Sequence, residues 1–220
     1  MKHYKYLQNT YLYTYQSFIK EIGEFDGKNY IILCDTIFYP QGGGQEYDKG
    51  YILQGDLKIK VTNVRKYNEE VLHFIDELPD GINLSKEVKL EIDKKNRLLN
   101  ARLHTAGHLI ALVVEEATNL APSKGHHYQE GSYAEFSGDI GELKTQLPEI
   151  ESRLYANIEQ NLAIYTSYDP NGKLRYIQIE NHPKMGCGGT HVKSLGEIGN
   201  ITINKIKNKK GKIRVSYSIS

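Results

Sequence analysis

DKKNRLLNARLHTAGHLIALVVEEA, residues 93–117, is where the hydrophobic period of this 220-residue chain changes. Leu99, Leu103, Ala106, Ile110, Val113 and Ala117 recur every three or four residues, the stripe of a helix with one buried side. Thr118-Asn119 and Ala121-Pro122 end it. Everything before reads with a period of two. The alternation in YKYLQNTYLYTYQSFIK, the runs YIILCDTIFYP, GYIL, LKIKVTNVRKY and VLHFID, and finally VKLEID predict about six strands. Asp26-Gly27-Lys28-Asn29 and Gln54-Gly55-Asp56 are their turns. The fold class expected is therefore α+β, with residues 1–93 as a small β-barrel domain and 94–220 as a second, mixed domain.

Downstream of the helix, SKGHHYQEGSYAEFSG (123–138) reads as a loop leading into a strand. TQLPEIESRLYANIEQNLA (145–163) reads as a second amphipathic helix, with Thr145 as its N-cap and Leu147, Ile150, Leu154, Ile158 and Leu162 as its stripe. IYTSYD and LRYIQIE are strands around Asp169-Pro170-Asn171-Gly172. The end of the sequence is a hairpin with a Lys-Lys-Gly-Lys turn.

Hydrophobic residues make up 39% and charged residues 25% of the chain, and the net charge is +1. This composition fits a soluble protein with a core and gives no general polyanion footprint. No apolar run is long enough to span a bilayer, and the N-terminal residues lack the apolar core of a signal peptide. With two cysteines there is no disulfide framework, and a reducing cytoplasm is the expected compartment. Cys34, inside an apolar run, reads as a buried small hydrophobe, and His73 as structural.

The chemistry concentrates in two short motifs. His104-Thr105-Ala106-Gly107-His108 places two imidazoles one turn apart on the helix. Gly186-Cys187-Gly188-Gly189-Thr190-His191 adds a thiol and a third imidazole on a glycine-rich loop. Three histidines and one cysteine form a full tetrahedral set for one Zn2+. Thr105 stands where the metalloprotease pattern HExxH carries Glu, so that pattern is absent. Four protein ligands leave both a structural and a catalytic zinc open. A third feature, Gln41-Gly42-Gly43-Gly44-Gln45, reads as backbone that touches a ligand, and it lacks the Lys-Ser/Thr of a P-loop. His126, His127 and His182 read as loop residues without an assigned role.

FYPQGGGQ (38–45) with Asp48 and Gly50, RLHTAGHL (102–109), QEGS (129–132) and CGGTHV (187–192), in that order, resemble the editing domain of alanyl-tRNA synthetase. They resemble above all its free-standing relatives, the AlaX trans-editing proteins of medium length. Threonyl-tRNA synthetase editing domains are similar in their paired His-x3-His and Cys-x3-His but not in the FYPQGGGQ segment. The resemblance implies that residues 94–220 are an editing domain of the second-additional-domain type, two helices packed on a sheet. It implies hydrolysis of the ester between serine or glycine and tRNA(Ala), in trans, since no synthetase catalytic domain precedes the β region. His104, His108, Cys187 and His191 would hold zinc, and Gln129 would act at the editing pocket. Gly42, Gly43 and Gly44 would face that pocket, and Thr36, Ser132 and Thr190 join Gln129 as candidate readers of a serine hydroxyl. Lys94, Lys95 and Arg97 at the helix start, and Lys205, Lys207, Lys209, Lys210, Lys212 and Arg214 in the last hairpin, are candidate contacts to tRNA. The alternatives are a zinc-stabilised tRNA-binding module without catalysis, a threonyl-type editing domain, and another metal-dependent esterase.

Overall fold

The computed structural model describes residues 4–220; the part of the expected first strand that falls on residues 1–3 lies outside the described residues. The chain divides into two compact units. One takes residues 4–42 and 46–98, and the other takes Gly43–Gln45 with Leu99–Ser220.

The first unit opens with a single helical turn, α1 (Lys5–Gln8), where strand was expected. Its body is one antiparallel sheet of β1 (Thr14–Phe25), β2 (Lys28–Leu33), β3 (Gly50–Gln54), β4 (Leu57–Val61), β5 (Asn63–Tyr67), β6 (Glu70–Phe74) and β7 (Glu87–Ile92). The spatial order is β4-β3-β7-β1-β2-β6-β5. β1 is long enough to serve two partners. Thr14–Phe18 pair with β7 and Ile19–Phe25 with β2, and the register shifts between Ile19 and Glu21. Asp26 and Gly27 both have positive φ, 53° and 71°, the backbone that a tight hairpin between right-twisted strands demands. The sheet has seven strands rather than six, and its edge strands β4 and β5 share no ladder among the described residues, so no closed barrel is found.

The apolar side of the sheet buries Ile31, Ile37, Phe38, Ile52, Val64 and Leu90 completely. Cys34, expected to be buried, is exposed: β2 ends at Leu33, and Cys34 follows outside the strand, out of step with Ile31 and Leu33, which face this core. His73 is fully buried and bonds Thr36 and the Ile31 carbonyl.

The long helix, α2 (Lys94–Ala117), begins on the Asp93 carboxylate, which accepts the N–H groups of Lys95 and Asn96. The unit boundary falls within it, between Leu98 and Leu99. Leu103, Ala106, Ile110 and Val113 are buried as their spacing predicts, and Ala101, Leu109, Leu112 and Val114 are buried as well. The helix is therefore packed on more than one side.

In the second unit β8 (Ala121–His126) and β9 (Tyr133–Ser137) join β13 (Ile201–Lys209) and β14 (Lys212–Ile219) in a sheet of order β13-β14-β9-β8. β10 (Ile164–Tyr168), β11 (Arg175–Ile179) and the two-residue β12 (Met185–Gly186) form a smaller one. Residues 121–126, read as helix terminator and loop, are strand. α3 runs Ile140–Glu159, earlier than expected: Asp139, not Thr145, caps it by accepting the Gly141 N–H at 2.8 Å. Leu143, Ile150 and Leu154 form its buried stripe.

Candidate metal centre and its cavity

One face of α2 carries His104, Gly107, His108 and Ala111, and it forms a wall of a cavity of about 400 Å³ within the second unit. Another wall is the end of β12 and the loop after it, with Gly186, Cys187 and Gly188. Four donor atoms, one each from His104, His108, Cys187 and His191, lie within 4.8 Å of one another. Cys187 Sγ is 3.1 Å from His191 Nε2 and 3.5 Å from His104 Nε2. Bond lengths of about 2.0–2.3 Å to a tetrahedral zinc place its ligand atoms roughly 3.5 Å apart, so this spacing is of the right order.

The hydrogen bonds on the far side of each ring decide which nitrogen is free. Thr105 Oγ1 spends its proton on the Ala101 carbonyl at 2.8 Å, so its lone pair accepts from His191 Nδ1 at 3.1 Å. His108 Nδ1 lies 3.4 Å from the Met185 thioether. His104 Nδ1 lies 2.8 Å from Gln45 Oε1. The Nδ1 atoms are occupied, and the Nε2 lone pairs of His104 and His191 face the thiol. This is the arrangement of metal-ligating imidazoles, whose other ring N–H is normally held by a fixed acceptor.

Electrostatics agree. Burial first, then neighbouring imidazoles and Arg175, hold His104 and His191 well below the ordinary histidine range. His108 is pushed down to about 4 by burial and by Arg175. Neutral imidazoles are the form that binds a cation. Burial pushes the Cys187 thiol up, opposed by the Gly189 N–H and by Arg175, so the thiolate needs a cation beside it. The donor set and its surroundings fit zinc.

The loop itself is held from behind. Arg175 on β11 donates through one terminal nitrogen to the carbonyls of Cys187 (3.0 Å) and Gly189 (2.9 Å). Gly189 has no room for a side chain, because a Cβ there would lie 2.1 Å from Cε1 of His104. His127 closes another side. Its Nδ1 donates to the Tyr217 hydroxyl (2.7 Å), which donates onward to the Leu103 carbonyl (2.8 Å). Its ring stacks on His104 with centroids 4.8 Å apart.

Other residues singled out in the sequence fall in several places. Gly43 lines the cavity and Gly44 packs against His127, while Gly42 lies in the first unit and accepts from the Tyr39 hydroxyl. Thr190 is buried and bonded to Gln45. Ser132 is buried with its hydroxyl spent on the Tyr128 carbonyl, and Thr36 is committed to His73 and the Phe38 N–H. Gln129 is exposed in the β8–β9 loop and is not among the residues lining the cavity. His182 stands apart from the cluster, bonded to Glu116 and Asn157.

Arg97, expected at a tRNA contact, is corrected. It is fully buried, paired with Asp48 and bonded to the Thr10 and Ile37 carbonyls. A guanidinium sealed in the core cannot meet a phosphate. Lys94 and Lys95 are exposed, as are Lys205, Lys207, Lys209 and Lys210, whereas Lys212 bonds Ser137 and Arg214 pairs with Glu135 over the Tyr133 ring. Gln45, Thr105 and Arg175 have no role at the site that the sequence assigns. Gln45 and Thr105 each lie inside a quoted motif, but Arg175 stands in an ordinary strand and carries no such signal.

A family model described as the threonyl and alanyl tRNA synthetase second additional domain matches residues 174–216, which include the Cys187 loop. A second, described as tRNA synthetases class II (A), matches residues 2–96. The chain is 32% identical over 235 residues to the alanyl-tRNA editing protein AlaX-M of Saccharolobus solfataricus, covering 94% of this chain and 98% of that protein. It belongs to that family of alanyl-tRNA editing proteins. It is also 31% identical over 210 residues to the alanine–tRNA ligase of Thermoplasma acidophilum, and 28% identical over 236 residues to that of Saccharolobus islandicus. The chain spans about a quarter of the length of those ligases, 23% and 26% respectively. Among the described residues no helix is long and apolar enough to cross a membrane.

Proposed function

We propose that this protein is a trans-acting hydrolase that removes serine or glycine from mischarged tRNA(Ala), with His104, His108, Cys187 and His191 holding one zinc ion. The observation that carries the reading is the cavity beside the four-donor cluster in a chain that matches a free-standing editing protein along almost its whole length. Zinc bound there supplies a Lewis acid for a carbonyl or a water.

The residues around it set the conditions for ester hydrolysis. Glycines at 186 and 188 leave the loop backbone open to the cavity, where N–H groups can meet a developing oxyanion. Arg175 holds the Cys187 and Gly189 carbonyls turned away to itself, fixing which way that loop faces. His127, neutral because burial and the nearby His108 and His126 push it down to about 3, offers an acceptor rather than a charge. A synthetase site for alanine discriminates weakly against a smaller substrate or one bearing an added hydroxyl, which is why a second site is needed. Exposed lysines 205, 207, 209 and 210 on the β13–β14 hairpin are the phosphate contacts in this reading, and protein synthesis in the cytoplasm is its setting.

The test is deacylation of Ser-tRNA(Ala), Gly-tRNA(Ala) and Ala-tRNA(Ala) by the purified protein. Release of serine or glycine well above the uncatalysed rate, with alanine retained, is the expected result. Tight tRNA binding with no release would instead support a non-catalytic binding module.

A further inference from the structure

Gln45 is completely buried and makes three side-chain hydrogen bonds, all within the second unit. Its Oε1 lies 2.9 Å from the Thr190 backbone nitrogen and 2.8 Å from His104 Nδ1, and its Nε2 lies 2.9 Å from Thr190 Oγ1. A backbone N–H can only donate, so the amide atom facing it must be the oxygen. The same oxygen faces His104, so the imidazole must carry its proton on Nδ1. The lone pair is then on Nε2, the atom 3.5 Å from the Cys187 thiol. One glutamine thus fixes the tautomer of His104 on α2 and the backbone of Thr190, the residue before His191. It ties together the two motifs that supply all four donors.

Its placement depends on the glycines before it. Gly43 and Gly44 have φ of 57° and 78°, and a Cβ on Gly44 would lie 2.5 Å from the Gly125 carbonyl oxygen. The Gly44 carbonyl accepts the His127 N–H at 2.7 Å, which anchors the segment one residue from Gln45.

We infer that Gln45 is a positioning residue of the metal centre, acting through His104 and Thr190 without touching the ion. This rests on the metal reading above, so the test has an arm that does not need the metal. In metal-free protein labelled with 15N-histidine, His104 is expected to show a protonated Nδ1 and an unprotonated Nε2, and Gln45→Met is expected to lose that bias. In zinc titrations Gln45→Met is expected to bind about 10–100-fold more weakly, the usual effect of removing an outer partner of a ligand. Gln45→Glu, which keeps an acceptor oxygen, is expected to recover most of the affinity and the tautomer. Far-UV circular dichroism of both variants separates a lost contact from a lost fold; should Gln45→Met not fold, the wild-type tautomer and Gln45→Glu still decide. A wild-type His104 protonated on Nε2, or a folded Gln45→Met that binds zinc within twofold of wild type, would overturn the inference. Failure of wild type to bind zinc at all would overturn the metal reading, and the tautomer would still judge the role of Gln45.

Discussion

The His127 ring occupies the space that a side chain at Gly107 would fill. A Cβ on Gly107 would lie 2.1 Å from Cε1 and 2.3 Å from Nδ1 of that imidazole. Glycine inside a helix costs about 1 kcal/mol relative to alanine, and here that cost gives the second imidazole layer its room. Gly107→Ala is therefore expected to destabilise the protein by about 1–3 kcal/mol, as overpacking does, instead of stabilising it as helix propensity alone would. Urea unfolding checks this. The double variant Gly107→Ala/His127→Ala is expected to recover part of the loss, because the ring that the methyl meets is gone.

His127 also gives a pH signature. It is neutral in the fold, with its pKa pushed down to about 3 by burial and by His108 and His126, whereas in the unfolded chain it titrates near 6.5. A base with a depressed folded pKa contributes stability above its unfolded pKa and loses it as pH falls. Metal-free protein is expected to weaken steadily below about pH 6.5. At pH 5 the share from His127 is about 1.5 pH units at 1.36 kcal/mol each, or about 2 kcal/mol. A shallower stability-versus-pH slope in His127→Phe is the observation that assigns it.

The buried Arg97–Asp48 pair makes a different demand. Removing the cation leaves a carboxylate sealed in the core without its partner. Arg97→Met is expected to cost about 3–5 kcal/mol in denaturant unfolding. At permissive temperature it is expected to leave the salt dependence of tRNA binding untouched, which a phosphate contact would not.

That salt dependence belongs to the last hairpin. Lys207, Lys209 and Lys210 are exposed there, and Asn208 and Gly211 pin the turn between them through a side-chain bond of 3.1 Å. Replacing Lys209 and Lys210 with alanine is expected to weaken tRNA binding and lower the slope of log K against log salt by about 1–2. An unchanged slope would place the tRNA elsewhere.

The sequence made the four donors legible because metal chemistry limits ligand types and spacing, and His-x3-His on a helix can only present both rings on one side. The change from period two to period 3.6 at Asp93 was equally plain. Strand count and helix starts were harder. β4 and β5 read as one run because only Thr62 separates them, and α3 starts at an Asp cap that the apolar stripe alone does not reveal. The role of Arg97 was illegible because exposure is a tertiary property: Arg97 and Asp48 are far apart in sequence and meet only in the fold. Gln45 was passed over for the same reason, since its partners lie at positions 104 and 190 and no local pattern announces them.

The most direct measurement is zinc content and Ser-tRNA(Ala) deacylation on the same preparations of wild type and Cys187→Ala. Wild type is expected to hold about one zinc per chain and to release serine, and Cys187→Ala to lose both the metal and the activity while remaining folded. A Cys187→Ala protein that keeps full zinc and full deacylation would contradict the assignment of the site.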